Sequence, residues 1–191
     1  RYFWALSLPM PGYLPGPRLP TLSWVRVCSV WFIAQADTPS VPSGMGKRIV
    51  AMGDGLWDLF PDGPRFGGAT ANYACHASIL GADVHMVSGV GQDERGEALL
   101  QVYQKHGVST DLVQVLKDYP TGVVNVELTE SGLPTFTIGE NAAWDHWEWN
   151  DEIEGTVRQA DALYFGTLGQ RGESSREGIR RALAMAQDQN I

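Results

Sequence analysis

The chain has 191 residues, of which 43% are hydrophobic and 19% charged, a balance that fits a soluble globular protein. Its formal net charge of -8 excludes a general attraction for nucleic acid or anionic membrane, since both would repel it. Two cysteines, Cys28 and Cys75, are too few for a disulfide framework, and a reducing cytoplasm is the default location.

Residues 1–44 hold seven of the 11 prolines and sum to +2, which leaves -10 on the remainder. Pro9, Pro11, Pro15, Pro17 and Pro20 forbid a continuous helix and break a central strand. An apolar run from Trp24 to Ala36 ends like a secretory cleavage site, but Arg26 interrupts it and it is too short to span a bilayer. The segment reads as a disordered or non-native extension ahead of a domain that starts at Met45.

Ile49–Met52 is an apolar run stopped by Gly53, as a first parallel strand would be. Leu56–Phe60 is a second extended segment, ended by a Pro61-Asp62-Gly63-Pro64 turn. A helix follows over Thr70–Leu80, closed by Gly81. Val84–Ser88 is the next strand, and Glu97–His106 a helix closed by Gly107. Thr121–Thr129 alternates, with Val124, Val126 and Leu128 on one face. With a Glu130-Ser131-Gly132 turn and Pro134–Ile138 it makes a β-hairpin, an insertion that reads as a flap. An acidic helix near Trp147–Gln159, a strand Ala162–Gly166 and a helix Ser174–Gln189 complete the order. Alternating strand and helix implies an α/β fold, a parallel sheet with helices on both faces.

Gly67-Gly68-Ala69-Thr70-Ala71-Asn72 is the most informative segment. Two glycines at a helix entrance let a ligand approach the backbone, and the first-turn amides there are unpaired. The Asn72 amide both donates and accepts, which suits sugar hydroxyls. Alone, the segment is equally a plain loop-to-helix turn with Asn72 on the surface. Asp58 interrupts the apolar run Leu56-Trp57-Leu59-Phe60, so its carboxylate needs a hydrogen-bonding partner. It suits two hydroxyl protons of a sugar, or it is an exposed acid on an edge strand.

Gly89-Val90-Gly91-Gln92-Asp93-Glu94-Arg95-Gly96 has the look of a dinucleotide-binding turn, but its third glycine is misplaced. His76, His85, His106 and His146 show no metal-ligand spacing. Asp145, Glu148, Asp151, Glu152 and Glu154 read as a solvated helix face.

Taken in order, G-D-G-L-W-D-L-F-P, G-G-A-T-A-N-Y-A, L-G-A-D-V and V-G-Q-D-E-R-G-E resemble the N-terminal signature of the PfkB carbohydrate kinases. Thr121–Val126 resembles the family's lid strand and Gly132–Ile138 its partner. Asn141–Asp145 and Phe165–Arg171 are similar to fructokinase segments. The likeness covers residues 47 to 190 and implies a ribokinase-like parallel-sheet sandwich with an inserted hairpin lid. It implies that Asp58, Gly67, Gly68 and Asn72 hold the sugar's hydroxyls and that Val124 and Val126 give apolar contacts from the lid. Arg171 joins this set, with a surface pairing to Glu173 as its other reading.

The resemblance implies ATP and Mg²⁺ as cofactors of the complete enzyme, a small sugar such as fructose as substrate, and a homodimer formed through the lid. In this family the catalytic base lies in a G-A-G-D segment near the C-terminus, whose amides form an anion hole. No G-A-G-D occurs in these 191 residues. The expectation is therefore a sugar-binding half truncated at the C-terminus, without catalytic residues or a nucleotide site of its own. An inert sugar-binding or pairing module, and a nucleoside kinase of the same fold, are the alternatives.

Overall fold

The computed structural model describes residues 46–128 and 133–191. The readings of residues 1–44, and of the Glu130-Ser131-Gly132 turn, lie outside the described residues. The elements in chain order are β1 (Arg48–Met52), β2 (Leu56–Phe60), β3 (Gly63–Gly67), α1 (Ala69–Ile79), β4 (Asp83–Gly91), α2 (Glu94–Lys105) and β5 (Val113–Leu116). There follow β6 (Gly122–Leu128), β7 (Pro134–Ile138), α3 (Asp151–Val157), β8 (Ala162–Phe165) and α4 (Glu173–Gln189). Short 3₁₀ turns occupy Ala143–Asp145 and Leu168–Gln170.

Parallel pairing places four strands in the order β5-β4-β1-β8. The period-2 alternation of each strand divides its side chains between two cores. Ala51, Val84 and Met86 face α1 and α2, where they meet Ala71, Ala74, Leu99 and Tyr103. Val50, Met52 and Val87 face α3 and α4, where they meet Trp147, Ile153, Val157 and Ile179. Tyr73 of α1 stacks on Tyr164 of β8 at 3.8 Å between ring centroids. Helices therefore cover both faces, as the strand–helix alternation implies. Among the described residues no helix is long and apolar enough to cross a membrane.

A second sheet has the order β3-β2-β6-β7, with β2 parallel to β6 and antiparallel to β3. The expected hairpin of Thr121–Thr129 and Pro134–Ile138 is thus part of a four-stranded layer. Val124 and Val126 point inward and are buried with Leu56, Ala142 and Trp144, while Asn125 and Glu127 are exposed. Every residue of β7 is exposed.

Several boundaries differ from the expectations, each for a local reason. The turn after β2 is only Pro61-Asp62, because Gly63 and Pro64 already belong to β3. A proline is tolerated there since β3 is an edge strand with no partner beyond it in the sheet. β4 runs on to Gly91, through glycines that read as a turn. Those glycines admit close backbone neighbours: a Cβ at Gly89 would strike the Ala143 carbonyl. β5 is a four-residue strand whose periodicity is too short to read.

Helix α2 starts at Glu94, three residues early, because Asp93 caps it and accepts from the Gly96 N–H at 2.8 Å. Helix α3 is shorter than the acidic run, since Asn150 caps it by accepting from the Ile153 N–H. Trp147 lies before that helix as a fully buried core residue. Asp145 is not on a solvated helix face. It is buried in the preceding 3₁₀ turn and ion-paired to Arg171 at 2.6 Å.

Two consequences can be measured. Gly122 lies against the fully buried Trp144 ring, and a methyl there would overlap ring atoms that have nowhere to move. Gly122→Ala is expected to cost about 1–3 kcal/mol, as overpacking does, and to lower Tm by about 2–4 °C per kcal/mol. Asp93 also accepts from the Thr121 N–H at 2.9 Å and hydroxyl at 2.7 Å. Burial pushes its carboxyl up, but the donors from Thr121 and Gly96 outweigh burial and hold it below the usual carboxylate range. A depressed folded-state value means stability that is present above the unfolded value, about 3.9, and lost as pH falls through the folded one. Asp93→Ala is therefore expected to cost about 0.5–2 kcal/mol at neutral pH, and the gap to the parent should close in acid melts below about pH 4.

Candidate functional site

A cleft of about 280 Å³ opens where β1 and β8 end, beneath the second sheet. The carboxyl ends of parallel strands are where ligands of open α/β sheets sit. Several segments line it. The loop after β1 supplies Asp54, and β2 supplies Leu56 and Asp58. The start of α1 supplies Gly68 and Ala69. The second sheet adds Val124, Phe136 and Ile138, and the segment after β8 adds Gly166, Thr167 and Leu168.

The local geometry begins with the two glycines. Gly68 precedes α1 with φ of +101°, a conformation that side chains rarely adopt. It carries no side chain with which to cap the helix. Asp54 takes that role from a distance, accepting from the Ala69 N–H at 2.6 Å and the Thr70 hydroxyl at 2.8 Å, while its carbonyl accepts from the Ala71 N–H. Asp54 is only 2% exposed. Gly67 lies against the second carboxylate: a Cβ there would meet the Asp58 carboxyl group. The two acids thus stand beside two consecutive glycines at one helix start.

Asp58 is half-buried on β2 and forms no hydrogen bond or ion pair among the described residues. Burial without a cationic partner pushes its carboxyl above the ordinary value. The sheet brings it next to Val124, its register partner on β6, and Val124 in turn faces Ile138 on β7. Phe136, Ile138 and Leu168 make the remaining wall apolar. The result is one free carboxylate at the base of a largely hydrocarbon cleft, an arrangement that can accept hydroxyl protons while the walls take up C–H surface.

Of the residues singled out from the sequence, Asp58, Gly68 and Val124 line the cleft, and Gly67 abuts the Asp58 carboxylate. Asn72 lies one turn into α1, where its N–H donates to the Gly68 carbonyl. Its side chain is exposed and is not part of the cleft wall. Val126 is 3% exposed and packs beneath the second sheet with Leu56 and Trp144. The Arg171 guanidinium does not pair with Glu173. It grips both oxygens of Asp145, donates to the Gly139 carbonyl at 2.8 Å and lies 5.2 Å over the Trp144 ring. That places Arg171 as a tie between the end of β7 and the parallel sheet.

Sequence reasoning passed over Asp54, Phe136, Ile138 and Leu168. For Asp54 a signal exists: a helix entered through two glycines has no cap of its own, so an acid between glycines at the end of β1 is a candidate acceptor for its first amides. The apolar wall has no such signal: Phe136 and Ile138 alternate with threonine on β7, but nothing local shows that they share a wall with Leu168.

Among the described residues no group of three or more His, Cys, Asp or Glu side chains could hold a metal ion. A Mg²⁺ of the kind that accompanies a nucleotide is held by one or two carboxylates together with phosphates. No step through a metal follows from this chain.

Comparison with known proteins adds the family. The chain is 28% identical over 144 residues to an aminoimidazole riboside kinase of Salmonella typhimurium, covering 71% of this chain and 45% of that one. It is 28% identical over 147 residues to a fructokinase of Vibrio alginolyticus, covering 72% and 48%. The crystal structure of the uncharacterized sugar kinase PH1459 from Pyrococcus horikoshii in complex with ATP superposes with a TM-score of 0.62 at 26% identity, covering 72% of this chain and 49% of that one. The chain thus spans about half the length of the relatives it matches. Residues 63–190 match the description pfkB family carbohydrate kinase, which is more than half of the sequence and includes the diglycine, α1 and the parts of the cleft contributed by β6, β7 and the segment after β8. With that match and the two-sheet architecture in hand, the chain belongs to the pfkB family of carbohydrate kinases.

Proposed function

We propose that residues 45–191 form the sugar-binding half of an ATP-dependent, fructokinase-like sugar kinase. The observation that carries this reading is the unpartnered, half-buried carboxylate of Asp58 facing an apolar cleft beside Gly67-Gly68. A sugar donates two hydroxyl protons to Asp58, and its C–H face lies against Val124, Phe136 and Leu168. The second sheet covers the ligand and limits its contact with water, which strengthens each hydrogen bond to the carboxylate. ATP supplies the transferred phosphoryl group in the complete protein, and the residues described here bind and orient the acceptor.

A second reading is favoured by β7. Its backbone edge and its half-exposed Phe136 and Ile138 leave room for a further strand. Pairing of two copies through this edge would put one lid over two clefts, and a sugar-binding pair needs no catalytic groups of its own.

Two sugars and a nucleoside decide the first reading: fructose, ribose and adenosine, titrated into the folded chain in a thermal-shift assay. At least one is expected to raise Tm. A hydrogen bond to a charged group contributes about 1.5–3 kcal/mol, so Asp58→Asn should weaken that ligand about 10- to 100-fold. An Asp58→Asn variant that keeps the full shift would overturn the assignment.

The pH dependence has a definite sign. Binding requires the ionised carboxylate, so affinity should fall as pH drops through a midpoint above the ordinary Asp value of about 3.9, and the Asn variant should show no such step. Without ligand the order reverses. A raised folded-state value favours the neutral acid, so the fold loses stability as pH rises through that value. Asp58→Asn should therefore melt above the parent at pH 7, and the difference should vanish below about pH 4.

A further inference from the structure

We infer that the cleft selects an uncharged polyol and rejects sugars bearing a phosphate or carboxylate, because its only ionisable lining side chains are carboxyls and the first amide of α1 and the arginines of the adjoining β3 and 3₁₀ turn are already engaged. This rests on the cleft being the sugar site.

The side chains that give the cleft polar character are Asp54, Asp58 and Thr167, and none of the lining residues is basic. A helix N-terminus is the usual receptor for an anionic group. Here α1 begins at the cleft, but its first amide is taken by Asp54 at 2.6 Å, and Asp54 also holds the Thr70 hydroxyl. The protein's own carboxylate therefore fills the position that a ligand phosphate would need. It does so from a buried position, and moving it would leave the start of α1 uncapped.

The two arginines on adjoining elements are also engaged. Arg171 is bound to both oxygens of Asp145 and to the Gly139 carbonyl. Arg65 stands opposite Asp58 in the β2–β3 register, yet its guanidinium donates to Asp62 at 2.8 Å and lies 4.2 Å over the Phe60 ring. Asp58 is left with no cation to balance it, in a site that already resists its charge through burial. An anionic ligand would add a further like charge beside Asp58, and the Val124, Phe136, Ile138 and Leu168 walls offer no side-chain donor to offset it. A neutral sugar brings only hydroxyl donors, which suit both an acceptor and a hydrocarbon wall.

Isothermal titration of the 191-residue chain with matched pairs tests this: fructose against fructose 6-phosphate, and ribose against ribose 5-phosphate. The phosphorylated member of each pair is expected to bind about tenfold or more weakly, with the gap narrowing as salt rises from low to physiological strength. In Phe136→Arg, a cation placed on the half-exposed wall should recover binding of the phosphorylated sugar relative to its parent. Equal or tighter binding of the phosphorylated sugars by the unaltered chain overturns the inference and leaves the sugar site standing. If the folded chain binds neither member of either pair, the sugar site itself is refuted, and the inference with it.

Discussion

Helix α1 starts behind two glycines, and neither glycine can satisfy its first amides. The acceptor comes from Asp54, fifteen residues upstream, in the loop that ends β1. That single contact joins the end of the first parallel strand to the start of the first helix. It keeps Gly68 in its positive-φ conformation, and it leaves the second acid, Asp58, as the free carboxylate of the cleft. Of two acids four residues apart, only one is thus spent on capping. The one that is buried and bonded holds the backbone, and the one that is half-buried and unbonded remains available to a ligand.

A second constraint ties the layers together. The Arg171–Asp145 pair is buried on the Asp145 side and reaches the end of β7 through the Gly139 carbonyl. Removing one partner of such a pair leaves an uncompensated charge, which is far more costly than never having made the pair. Its value here is positional. It sets the end of β7, and so Ile138 and Phe136, against Leu168, which follows β8 by only a few residues. The apolar wall of the cleft depends on an ion pair that does not itself touch the cleft.

Much of this was legible in the chain. The parallel core strands, α1, α4 and the β6–β7 alternation follow from period-2 and period-3.6 apolar spacing, because those periods are fixed by backbone geometry. Asp58 stood out because a charge inside an apolar strand demands an explanation. The family resemblance rested on the order of several weak motifs, and residues 63–190 match that family. What failed to show were features in which local sequence is ambiguous. β3 begins with Gly-Pro, a turn signal that an edge strand can absorb. The glycines of β4 resemble a turn until the Ala143 carbonyl is seen beside them. Asp145 sits among acids that are solvated, and only its distance to Arg171 separates it from them.

By itself, then, the sequence determined most of the longer elements, the two-faced sheet and the one acid that has no obvious structural use, since each follows from short-range spacing along the chain. Which carboxylate caps and which stays free, whether Arg171 faces a ligand or an aspartate, and how β7 meets the segment after β8 were settled by the tertiary structure alone. These depend on contacts between residues that are far apart in the chain, and no local pattern records the distance across which a charge finds its partner.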